Sequence, residues 1–112
     1  MRPFLRLGTL ALVLLLLPCA AAARGTIQKV EIRGMEKEEP LAQNVRQALT
    51  LNQALGKAQG ESRLEYLLIR AEKEARQALE PFGYYSAVVR VEAPRDEQDR
   101  ITVILHVDKG EP

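Results

Sequence analysis

The stretch "EPFGYYSAVVRVEA", residues 80–93, decides the fold, because inside it the apolar period changes from that of a helix to that of a strand. Upstream, Leu64, Leu68, Ala71, Ala75, Ala78, Leu79 and Phe82 return to one side at helical spacing. Gly83 ends that run, since glycine takes the left-handed conformation that stops a helix at no steric cost. Downstream, Tyr85, Ala87, Val89, Val91 and Ala93 alternate with Tyr84, Ser86, Val88, Arg90 and Glu92. Consecutive strand residues point to opposite faces, so the alternation predicts Tyr85 beneath the helices and Tyr84 on the open side of the sheet. "GYY" is thus a structural junction, and Tyr84 fits an ordinary surface position as well as a contact.

The helix before this junction has its own start signal. Ser62 followed by Glu65 predicts a capping box, each side chain satisfying a backbone N–H of the first turn. Arg70 with Glu74 and Glu72 with Arg76 are opposite charges one turn apart, suited to a wet face. After the junction, "PRDEQD" is a polar turn, and "RITVILHVD" alternates again, with Ile101, Val103, Leu105 and Val107 on one face and Thr102, Ile104, His106 and Asp108 on the other. Two such strands joined by a short polar turn predict an antiparallel hairpin.

Further upstream, "TIQKVEIRG" reads as a strand in which Val30 and Ile32 alternate with Lys29, Glu31 and Arg33, and Gly34 ends it. In "EEPLAQNVRQALTL", Leu41, Val45, Ala48 and Leu49 share a helical face, with Glu38, Glu39 and Pro40 suiting the start. Gly56 and Gly60 in "NQALGKAQGE" predict a helix-to-helix connection. The order is strand, helix, helix, strand, strand. The expected class is α+β, a three-stranded mixed sheet with two helices packed on one face.

The first 23 residues stand apart. Arg2 and Arg6 precede an apolar run, Leu10 to Leu17, followed by Pro18 and an A-x-A pattern at Ala21 and Ala23. That is the layout of a cleavable signal peptide, and the run is well short of the about 20 residues a membrane span needs. Lipid attachment at Cys19 is disfavoured, because Pro18 is not the small residue that precedes a lipidated cysteine. Of 16 Lys+Arg, losing Arg2 and Arg6 leaves 14 against 15 Asp+Glu, a net charge of −1 for residues 24–112. A near-neutral mixed surface gives no footprint for nucleic acid. Cys19 is the single cysteine, so the processed chain has no disulfide and depends on its core.

Enzymatic machinery is absent from this pattern. His106 is the single histidine and falls on the outward face of its strand. "GKAQGE" lacks the lysine–hydroxyl ending of a phosphate loop, and the carboxylates are scattered among bases. No catalytic, cofactor or metal residue is expected. The outward face gathers Ile27, Tyr84, Val88 and Ile104 into a candidate apolar patch. With Arg90 on the same strand, these are the candidate partner-binding residues, beside an edge that would accept a partner strand.

A leader, "KVEIRGM", two helices, "LEPFGYYSAVV", a hairpin and a closing "VILHVDKGEP" resemble a POTRA domain, and are most similar to the first POTRA domain of TamA, of the translocation and assembly module. The residues carrying the likeness are Gly34 with Met35, Gly83 with Tyr84 and Tyr85, and Gly110, Glu111 and Pro112 as a G-x-P connector. The resemblance implies a periplasmic, non-catalytic module of an outer-membrane assembly factor. Its implied partners are a TamB-like inner-membrane protein, barrel or autotransporter clients and adjacent POTRA domains. Residues 1–23 are expected to be the signal peptide and 24–112 one domain ending in a connector to a next one. A passive spacer or a free-standing periplasmic binding protein are the alternatives.

Overall fold

A computed structural model describes residues 24–112. The expected signal peptide, with Ala21 and Ala23, lies outside the described residues. Strand β1 (Arg24–Arg33) is followed by helix α1 (Glu39–Gln47), a 3₁₀ turn (Thr50–Ala54), strand β2 (Ala58–Gly60) and helix α2 (Glu61–Leu79). A second 3₁₀ turn (Glu80–Phe82) leads to β3 (Val88–Glu92) and β4 (Arg100–Asp108). The sheet order is β2-β1-β4-β3. β1 and β4 run parallel in the centre, and β3 forms the expected antiparallel hairpin with β4.

The sheet has four strands where the sequence predicts three. β2 pairs antiparallel with β1 through Arg24–Gly60, Gly25–Gln59 and Thr26–Ala58. Three small or polar residues carry no periodic signal, so this strand exists by virtue of its pairing. It also displaces the predicted capping box. β2 runs straight into α2, so extended Gly60 takes the cap position with no side-chain cap bond, and Ser62 falls inside the first turn.

Met35, Ala42, Val45, Leu49 and Leu51 close one side of the core, and Leu64, Leu67, Ala71, Ala75 and Leu79 of α2 close the other, over Ile27, Val89, Ile101, Val103, Leu105 and Val107 of the sheet. Each fully buried aliphatic side chain of this kind contributes about 1.5–3 kcal/mol. All of these core residues lie within residues 24–112. Alanines at 71 and 75 let α2 lie close on the sheet, as its spacing predicts. Leu67 joins the buried stripe, whereas Phe82, expected on it, is 48 % exposed because the helix has already tightened into the 3₁₀ turn.

Candidate partner-binding surface

Three of the face assignments made from the sequence, those of Ile27, Tyr84 and Tyr85, are not those of the structure. Ile27, expected on the open face, is fully buried in the core. A β-bulge is the reason: Ile27 pairs with Ile101 but Lys29 with Thr102, so Gln28 is an extra residue that flips the alternation. Tyr85, expected beneath the helices, is 76 % exposed, while Tyr84 is half-buried against the core. β3 begins only at Val88, and residues 84–87 are turn, so strand alternation does not extend back to the tyrosines. From Ala87 to Ala93 it does hold.

The open face is consequently not an apolar patch. Ile104 is only 8 % exposed, in the middle of the sheet between Glu31 of β1 and Glu92 of β3. Charges form rows across the strands around it. Arg33, His106 and Arg90 sit side by side on β1, β4 and β3, next to the row Glu31, Ile104, Glu92. Glu31 bonds Lys29 at 3.0 Å and Arg33 at 2.9 Å, and these two partners, Lys29 first, hold its carboxyl below the usual range. His106 Nε2 lies 2.5 Å from Glu92 Oε1, which lowers the Glu92 pKa. His106 is thus a cross-strand partner. Among the described residues no group of three or more His, Cys, Asp or Glu side chains is placed to hold a metal ion.

Apolar surface appears instead on the helix side of the β3 edge. Leu68, Ile69, Glu72, Val89, Arg90 and Val91 line a groove of about 380 Å³ between α2 and β3. Ile69 is 65 % exposed there, and Val88, at the start of the edge strand, is 64 % exposed. β3 ends the sheet, so its outer backbone groups have no strand neighbour among the described residues. Ile69 went unnoticed in the sequence although a signal existed: it is an isoleucine off the buried stripe of an otherwise polar helical face. Of the candidate contact residues, the structure brings Val88 and Arg90 to this edge, and places Ile27, Tyr84 and Ile104 elsewhere.

Tyr84 belongs to a clasp that holds the chain's last residues. Lys109 Nζ lies 4.8 Å from the Tyr84 ring centroid and pairs with Glu38 beside the start of α1, and that pairing raises the Lys109 pKa. Gly110, at φ 72°, passes the Ser86 carbonyl, and Pro112 lies against Gly83, at φ 92°. The tightest junction is Gly34, at φ 104°, where a Cβ would come within 2.0 Å of the Val107 carbonyl oxygen. Here only glycine fits.

This architecture is matched by known proteins. The family model "POTRA domain TamA domain 1" matches residues 29–109. The chain belongs to that family of POTRA domains. Its fold is similar to the crystal structure of Haemophilus influenzae BamA POTRA4, at 24 % identity and a TM-score of 0.50, covering 79 % of this chain and 94 % of that one. The crystal structure of Haemophilus influenzae BamA POTRA3-5 is similar at 22 % identity and a TM-score of 0.48, covering 78 % of this chain and 32 % of that one. No curated protein sequence matches the chain.

Proposed function

We propose that this chain is a periplasmic POTRA module of an outer-membrane protein and autotransporter assembly factor, binding partner or client segments non-catalytically along the edge of β3. POTRA domains of the BamA and TamA type take part in outer-membrane protein assembly. The observation that carries the reading is the unpaired edge of β3 lying beside an apolar groove that Ile69 lines. An extended segment added there gains main-chain hydrogen bonds from the edge and side-chain burial from the groove. The partners it fits are a TamB-like protein, unfolded barrel or autotransporter strands, and adjacent POTRA domains. The leader pattern of residues 1–23 supports export to the periplasm.

The test uses residues 24–112 and peptides from barrel strands or a TamB-like protein, with affinity measured by calorimetry. Ile69→Asp and Val88→Asp are expected to weaken binding about tenfold, while the fold, followed by circular dichroism, persists. Absence of binding by the intact domain would sink the proposal. The clasp of Lys109 on Tyr84 and Glu38 favours a second reading, a spacer that fixes the direction of neighbouring domains. In that case Lys109→Ala disturbs assembly while edge substitutions leave it intact.

A further inference from the structure

We infer that the β3 edge is also the interface for a second copy of this chain, paired antiparallel about Val91. The inference rests on β3 being the open binding edge proposed above, and it names one occupant of that edge. A closed pair of identical chains is two-fold symmetric, so a strand that pairs with its own copy must do so antiparallel. β3 reads Val88-Val89-Arg90-Val91-Glu92. Side chains directly opposite each other share a face, which leaves three registers that overlap the strand well.

Centring on Arg90 sets Arg90 against its own copy, and like charges directly opposite are destabilising. Centring on Val89 sets Arg90 against Val88 and leaves Glu92 with no counterpart. Centring on Val91 sets Arg90 against Glu92 of the second copy twice over, Val91 against Val91, and Val89 against Ala93. Only this register satisfies both charges and keeps the apolar residues on the helix side.

The electrostatics of the single chain leave room for the pairing. Among the described residues Arg90 makes no ion pair, although it ends the row Arg33, His106, Arg90 at the sheet edge. Glu92 has its close partner in His106 and is half-exposed, so a second cation can reach it. Both helix layers then lie on the same side of a continuous eight-stranded sheet, and Ile69, which lines the groove over Val89 and Val91, comes toward its copy across the axis. Pairing of this kind hides an exposed edge, which is otherwise a site for unwanted strand addition, until a partner strand displaces it.

Sedimentation velocity of residues 24–112 from micromolar to millimolar concentration tests the inference. The wild type is expected to shift from monomer to dimer with concentration. Arg90→Glu and Glu92→Arg each replace two attractive contacts with two repulsive ones, and are each expected to weaken self-association by roughly tenfold or more. An equimolar mixture of the two variants restores every opposite-charge contact and is expected to associate as the wild type does. Thermal unfolding of each variant, with a single cooperative transition well above the temperature of the sedimentation run, shows that the loss lies in the interface; Glu92→Arg gives up its His106 contact and melts somewhat below the wild type. A wild type that stays monomeric, variants that associate as the wild type does, or a mixture that does not recover would each overturn the inference. A monomer that still binds peptides through Ile69 overturns the self-pairing alone and leaves the proposed function standing. A charge-dependent dimer that binds no peptide upholds the self-pairing and overturns the function.

Discussion

The two edges of the sheet differ in what they offer. β2 presents three residues and turns at once into α2, whereas β3 presents five beside a groove with exposed apolar side chains. A very short edge strand is one of the ways proteins blunt an edge against strand addition. β2 is blunted in this way and β3 is not. The difference teaches that openness here is a matter of length and neighbours, since both strands use their inner side to pair with the same central pair.

The substitution with the largest expected effect removes the frame on which both edges hang. Gly34→Ala forces a methyl group into the Val107 carbonyl at a positive φ, and is expected to cost about 3 kcal/mol or more, read by urea unfolding. Ile27→Ala, which empties a fully buried site between the central strands, is expected to cost about 2–5 kcal/mol. Ile69→Ala, on the groove, should stay within about 0.5–1 kcal/mol in the same measurement. If the two isoleucines cost the same, the assignment of one to the core and the other to a contact surface fails.

Between the edges themselves, Val88→Asp on β3 is expected to weaken peptide binding about tenfold, and Ala58→Asp on β2 to leave it unchanged. Equal losses from both would erase the distinction. The smallest expected effect is in acid. The hydrogen bond from His106 lowers the Glu92 pKa below its ordinary value of 4.5, so its contribution is full above that value and is lost as pH falls through the lowered one. The gap in melting temperature between wild type and Glu92→Gln should therefore close on acidification below pH 4.5. β2, with Ala58, Gln59 and Gly60, has no titrating side chain, and Gln59→Ala should leave the acid profile unaltered.

Much of this molecule was legible without coordinates. The amphipathic stripe of α2, the stop at Gly83, the hairpin of β3 and β4 and the order of the elements all follow from patterns within a few residues of each other. The candidate site was less so. Alternation assigns Val88, Arg90 and Ile104 to the open face, but the sheet order alone puts Val88 and Arg90 at the edge and Ile104 in the middle, and the same alternation fails for Ile27 past a bulge and for Tyr84 past a strand end.

What the sequence determined by itself is therefore the identity and order of the helices and longer strands, because periodicity is a local property of the chain. The tertiary structure decided three things that depend on residues far apart. Pairing with β1 makes three residues a fourth strand, the extra residue Gln28 turns Ile27 into the core, and the turn at residues 84–87 exchanges the two tyrosines. A strand's faces are fixed by the strands it is paired with, and a count along one strand does not contain its neighbour.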